Sequence, residues 1–272
     1  MFFAIYYYGG NFLLQKLVWP ALERLPDPFR IGLHPFFELD FGRIVNRIFQ
    51  FFWTLALFFL FMRFVQRKPL KENILFKPRH KLRTTLWGML FGACLVGALI
   101  TLSIATKIVV VKAVHLYPDD LFETLALYLF CMAITAISEE IALRGTILET
   151  MRASWGTHWA VWISACFFGL IYIGESYYYA YAAFVAGLLL GYAYVWYGIY
   201  YCIGWHFAWN FIESVFYSGK IVLYQVNDPF LVGDKTMMPD QEGLLILPIL
   251  LIGLALMLAV HKTEWRLDSK AR

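Results

Sequence analysis

Glu139 and Glu140 stand side by side directly after the apolar run 121–137, and Arg144 follows four residues after Glu140. A carboxylate within a bilayer costs about 2.5 to 3.5 kcal/mol on insertion scales, so ionisable groups at that position point to function. On a helix Glu140 and Arg144 are i and i+4 neighbours and can form an ion pair. Glu139 lies about 100° further round and keeps its charge available. One carboxylate reads as structural and the other as chemical. The plain alternative is the wet end of a membrane helix, with all three charges facing water and headgroups. Further along, His206 and Asn210 are also four apart and share a helix face. Neither is cheap to leave unpaired in lipid. Interhelical hydrogen bonding or an interfacial position would explain them without chemistry. If carboxylate, imidazole and amide meet in one cavity, they suit hydrolysis, with a base for water and donors for an oxyanion.

The elements that must position these groups are membrane helices. The chain has 272 residues, 61% of them hydrophobic, 19% aromatic and only 15% charged, with a mean hydropathy of +0.62. This excludes an ordinary soluble domain. Continuous apolar runs such as 51–61 lack the alternation of outer-membrane strands. The fold class expected is all-α, a polytopic helical membrane bundle of about seven transmembrane helices with an N-terminal interfacial or re-entrant segment. The spans fall at 48–65, 84–106, 121–151, 159–173, 177–197, 199–217 and 243–260. Residues 2–19 form the interfacial or re-entrant segment, followed by an exposed connection, so that 1–47 precede the transmembrane domain, 48–262. The core of that domain is 121–217, and 263–272 form a tail. The N-terminus lacks a basic region before its apolar residues and is expected to be retained.

The net charge of +4 sits mainly in loops and speaks to orientation rather than to nucleic-acid binding. The basic loop 66–83 and the C-terminus are expected in the cytoplasm, and the loops 107–120 and 218–242 outside. Gly88, Gly92 and Gly97, and again Gly187 and Gly191, are spaced for close helix approach. Cys94, Cys131, Cys166 and Cys202 each fall in a different apolar run without CxxC spacing and read as buried packing thiols.

The charged stretch Glu139-Glu140-Ile141-Ala142-Leu143-Arg144-Gly145 resembles the EExxxR motif of the CAAX prenyl endopeptidase and bacteriocin-processing family of intramembrane proteases. Ser164-Ala165-Cys166-Phe167-Phe168-Gly169-Leu170-Ile171-Tyr172 resembles that family's FxxxH segment, with Phe168 and Tyr172 at its two key places. His206-Phe207-Ala208-Trp209-Asn210 resembles its HxxxN segment. The resemblance covers about residues 121–215. It implies that Glu139 activates a water, that Glu140 and Arg144 shape the site, and that His206 and Asn210 orient the water or stabilise the oxyanion. It also implies a multi-pass integral membrane protein, expected in the cell membrane of a prokaryote.

Tyr172 departs from the motif, which has histidine at that place. A phenol with an unperturbed pKa of about 10 donates a hydrogen bond but accepts a proton poorly at neutral pH. Glu139 is then the sole base, or another histidine such as His158 fills in, or the protein is a non-catalytic relative. His158 lies about 21 Å along its helix from residue 172, which argues against it. Counted from the cytoplasmic ends, Tyr172 also lies deeper than Glu139 or His206. A place in an aromatic belt with Tyr177, Tyr178 and Tyr179 would explain that depth, while the motif places Tyr172 in the site.

One histidine, two carboxylates and an amide make a poor zinc set, so neither metal nor other cofactor is expected. The leading reading is an intramembrane glutamic-type endopeptidase. It would hydrolyse a peptide bond of a membrane-anchored or lipidated protein or peptide in the cytoplasmic half of the bilayer. The rival is a catalytically inactive relative that serves as a membrane scaffold or immunity-type binding protein. A transporter with Glu139 and His206 on an ion path is weaker, because no inverted repeat is evident. The partners expected are the lipid bilayer and the anchored substrate, without nucleic acid.

Overall fold

The computed structural model describes residues 5–18, 20, 35–67, 81–116, 118–174, 176–219, 221–232 and 244–261. Most of the basic loop, 68–80, and the tail at 263–272 lie outside the described residues. The first long helix, α1, spans Pro35–Phe61 and continues in wide turns through Met62–Gln66. It begins well before residue 48, so the exposed connection expected up to Arg47 ends earlier. Next come α2 (Lys81–Ala105), strand β1 (Val109–Val114) and α3 (Pro118–Glu140). The chain after α3 stays helical, first as a π segment, Ile141–Leu148, and then as Glu149–Trp155. Helices α4 (Thr157–Ile171), α5 (Tyr177–Tyr197) and α6 (Ile199–Tyr217) follow, then strand β2 (Val222–Val226) and α7 (Ile246–Val260).

The molecule is an all-helical membrane bundle with one small ribbon. Segments 44–66, 81–105, 121–155 and 177–197 are long and apolar enough to cross a bilayer, and α4 and α7 are shorter apolar helices. Helix α6 has the length of a span, but His206, Asn210 and Glu213 lower its hydropathy. Large apolar side chains such as Phe52, Phe64, Leu86, Leu90, Phe122 and Leu256 cover the periphery, where lipid makes their exposure cheap. Cys94 and Cys166 are exposed on that periphery, contrary to the expectation of buried thiols, while Cys131 and Cys202 are buried. Both kinds of face are apolar in a membrane protein, so an apolar run does not say which of its residues turn inward.

Small residues set the closest helix pairs. A Cβ built on Gly88 would run into the carbonyl of Tyr201, and one built on Gly204 into the carbonyl of Thr85. Helices α2 and α6 therefore meet backbone to backbone and hold His206 on a rigid support. Gly187 does the same for α5 and α4, where an added Cβ would stand 2.8 Å from the Cα of Ala165. Gly97, grouped with Gly88 and Gly92 by spacing, faces open space instead.

Strands β1 and β2 form an antiparallel ribbon, with Val109 opposite Val226 and Val114 opposite Val222. The register shifts between Val111 and Ala113, leaving Lys112 as a bulge. Sequence reading placed both strands in loops. A two-stranded ribbon is marginal alone. This one is held by Val109 packing with Tyr217 and Val232 in a small buried cluster at the end of α6.

The N-terminal residues 5–18 are helical and pack on α1, not apart from it. Trp53 Nε1 donates to the Tyr6 carbonyl at 3.2 Å.

Candidate active site

Helices α3, α4 and α6 each bring one element of the site. Glu140 is fully buried, and its Oε1 accepts from Arg144 Nη1 at 3.0 Å, the i, i+4 pair the spacing implied. The same Oε1 lies 2.9 Å from His206 Nδ1, so a single carboxylate oxygen serves both cations or donors. Arg144, also fully buried, reaches the Gly187 carbonyl with Nη2 at 3.4 Å. Its guanidinium stands 4.9 Å from the centroid of the Phe168 ring, a cation–π distance. The same ring meets Tyr172 edge-on at 5.6 Å and His206 at 5.8 Å. Phe168 is thus the apolar post around which the polar groups are arranged.

Glu139 points elsewhere, as its position about 100° from Glu140 requires. Tyr172 Oη donates to both its oxygens, at 3.4 Å to Oε1 and 3.3 Å to Oε2. His206 Nε2 faces Oε2 at 3.7 Å, beyond a direct hydrogen bond. If Nδ1 donates to Glu140, a neutral His206 ring leaves the Nε2 lone pair turned toward Glu139.

Tyr172 stands at the depth of Glu139, contrary to the expectation that it lies deeper, for a geometric reason. Helix α3 continues through its π segment and on to Trp155, and the chain turns at Gly156, whose φ of 83° is one that glycine adopts without strain. Glu139 and Tyr172 are therefore each about 24 Å of helix from that turn, on its two antiparallel arms. Glu139 is thus no shallower than Tyr172. The site accordingly lies deep in the bundle and not near the 155–157 corner, where the cytoplasmic end was expected. The π segment begins directly after Glu140, and the Thr146 hydroxyl bonds back to the Ile141 carbonyl at 2.9 Å. Such wide turns recur at functional sites.

Two cavities approach the carboxylate. One, of about 60 Å³, is lined by Tyr172, His206 and Asn210 among apolar residues of α5, α6 and α7. Asn210 thus shares the cavity wall with His206, one helical turn away. On the other side of Glu139, Tyr6, Gly10 and Leu14 of the N-terminal segment and Asn46, Gln50 and Trp53 of α1 line a second cavity of about 60 Å³. Residues 5–18 thus cover one flank of Glu139. His158 is not part of the site, since its Nδ1 lies 3.2 Å from Tyr192 Oη. Among the described residues, no three His, Cys, Asp or Glu side chains form a group able to hold a metal ion.

Residues 121–212 match a family model described as Rce1-like, type II CAAX prenyl endopeptidase Rce1-like. Over residues 121–212 the chain is similar to that family. No curated protein and no solved structure matches it. The Rce1-like segment runs from the start of α3 into α6 and contains Glu139, Glu140, Arg144, Tyr172, His206 and Asn210.

Two further residues of the cavity wall, Tyr179 and Glu213, stand outside the three motifs. Tyr179 stacks close to Tyr172, with ring centroids 4.2 Å apart. Glu213 is 1% exposed, lines the main cavity and stands just beyond the matched segment. The signal for Glu213 was legible: a carboxylate seven residues after His206 inside an apolar helix.

Proposed function

We propose that the protein is an intramembrane endopeptidase of the glutamic type that cuts a membrane-anchored or lipidated peptide. Glu139 takes a proton from water, and the resulting hydroxide attacks the peptide carbonyl. His206 accepts from that water at Nε2 and so orients it, and Asn210 donates to the oxyanion as it forms. Collapse of the tetrahedral intermediate breaks the C–N bond, and the proton held by Glu139 passes to the leaving amine. Glu140 and Arg144 do not touch the substrate in this scheme. Their pairing cancels charge inside the membrane and fixes the His206 ring through Nδ1. Tyr172, at the place of the motif's histidine, orients Glu139 by hydrogen bonding and supplies no base.

The observation that supports this reading is the convergence of Glu139, Tyr172 and His206 from three helices between two cavities, with Tyr172 and His206 in the wall of one and Glu139 in the wall of the other. A second reading, a non-catalytic membrane scaffold or immunity-type binding protein, is favoured by the phenol at position 172, which holds both carboxylate oxygens of Glu139.

Wild type, Glu139→Gln and Tyr172→His, each verified as folded in native membranes, are compared for cleavage of membrane-anchored peptides by mass spectrometry. The protease reading expects products from wild type and a loss of about 100-fold or more with Glu139→Gln. An inactive wild type with Tyr172→His gaining cleavage would instead favour the binding relative.

A further inference from the structure

The two cavities beside Glu139 differ in their walls. The main one is apolar along most of its surface, with Ala182, Ala183, Leu190, Ile246 and Leu250 among its residues. On the opposite flank, Asn46 and Gln50 bring two amides to the space that Glu139 lines. Asn46, Gln50 and Trp53 are spaced i, i+4 and i+7, so one face of α1 turns to this cavity. The N-terminal segment closes it against lipid. A Cβ built on Gly10 would stand 2.8 Å from the Trp53 ring, so the segment seats directly on α1. Neither the catalytic scheme nor the Glu140–Arg144 pair uses this face.

The hydrogen-bonding groups of this wall suit water. Asn46 Oδ1 is buried and accepts no hydrogen bond from the described residues. An ionised Glu139 has about four acceptor sites, and the single Tyr172 hydroxyl hydrogen reaches it only at 3.3 Å or more. Two acceptors on one cavity call for a donor between them, and a water molecule carries two hydrogens. Gln50 supplies the complement. Its Oε1 accepts from Arg47 Nη1 at 2.9 Å, which leaves its amide hydrogens for a water oxygen. A buried water needs two to four polar partners and about 10 to 15 Å³. The cavity, at about 60 Å³, offers both.

Hydrolysis consumes one water in each turnover. A peptide that fills the apolar cavity beside His206 shuts that route to water, and the hydrocarbon around the bundle holds none. We propose that the cavity between the N-terminal segment and α1 stores the water that hydrolysis consumes, with Asn46 as its positioning residue. Water held by Asn46 Oδ1, Gln50 Nε2 and Glu139 moves past the carboxylate to the His206 side as each molecule is spent. This rests on the protease reading for the use of the water, and only on the cavity for its binding.

The test is radiolytic hydroxyl-radical labelling of the full chain in liposomes, read by mass spectrometry, because radicals made from a bound water oxidise the side chains that touch it. Trp53 lines the cavity, whereas Phe52, its chain neighbour at nearly the same depth, is 64% exposed at the periphery. In wild type, Trp53 is expected to be oxidised about tenfold faster than Phe52, since lipid excludes water from the latter. Asn46→Leu is expected to bring Trp53 down to the Phe52 level. Equal rates in wild type overturn the proposal without needing any variant to fold. So does an Asn46→Leu protein in which Trp53 labelling persists. On cleavage, Asn46→Leu is expected to lower kcat about tenfold at unchanged KM, the scale of one lost hydrogen bond. Asn46→Ser keeps an acceptor and should restore most of that loss, and an unchanged kcat for Asn46→Leu overturns the supply role. Trp53 labelling that Asn46→Leu removes, with no cleavage by wild type, sinks the hydrolysis reading and leaves the water site standing. Cleavage without labelling of Trp53 does the reverse.

Discussion

Arg144 is the largest side chain buried without exposure in the molecule's described residues, and it is charged. It is held by Glu140, the Gly187 carbonyl and the Phe168 face, and replacing it leaves the Glu140 carboxylate buried without that cation. Arg144→Met is expected to cost about 3 to 5 kcal/mol, as for other broken buried pairs. Thermal unfolding of the purified protein measures this. The double replacement Glu140→Leu with Arg144→Met should lose less than the two single losses added together, and strict additivity would show that the pair does not act as a unit. Tyr172→Phe makes a different prediction, because it removes the donor to Glu139 but keeps the ring against Phe168 and Tyr179. Unfolding temperature should stay close to wild type while cleavage falls. A large stability loss with unchanged cleavage would make Tyr172 a packing residue only.

Helix contacts decide whether these side chains meet. Gly204→Leu pushes side-chain bulk into the Thr85 backbone on α2. Overpacking of this kind costs about 1 to 3 kcal/mol or more, and it should move His206 away from both carboxylates, lowering cleavage and melting temperature together. Gly97→Leu points into open space and should leave both unchanged, and equal damage from the two would mean the α2–α6 contact is not special. Much at this scale was legible in sequence. The helices over 177–197 and 199–217 end where Ser176, Gly198 and Tyr217 end the apolar runs, because local propensity and caps act within one turn. The ribbon was not legible. Val109–Val114 and Val222–Val226 gain their pairing from each other across more than a hundred residues and from the cluster under Val109.

At the scale of the whole molecule, the turn at Gly156 and the ribbon lie at opposite ends of the bundle. From the charge distribution we propose that the first faces the cytoplasm and the second the outside. Membrane-impermeant maleimide applied to intact cells should label Asn227→Cys, and should label Gly156→Cys only after permeabilisation, in a chain whose exposed Cys94 and Cys166 are replaced. The opposite pattern would invert the bundle. Because the main cavity runs from His206 toward Tyr179, Glu213 and Ile246, the same experiment fixes the side from which a substrate approaches.

Composition and spacing alone set the class of the molecule, its helices and the local geometry of its charges. Apolar length marks membrane helices, and i, i+4 spacing pairs Glu140 with Arg144 whatever surrounds them. Tertiary structure alone decided that Tyr172 reaches Glu139, that residues 5–18 cover the other flank of that carboxylate, and that Glu213 shares a cavity with His206. The physical reason lies in the solvent. In water an inward face is apolar and an outward face polar, so periodicity reveals which residues meet. In lipid both faces are apolar, and only the close approach of backbones at positions such as Gly88, Gly204 and Gly187 sets how each helix is rotated and how deep its side chains stand.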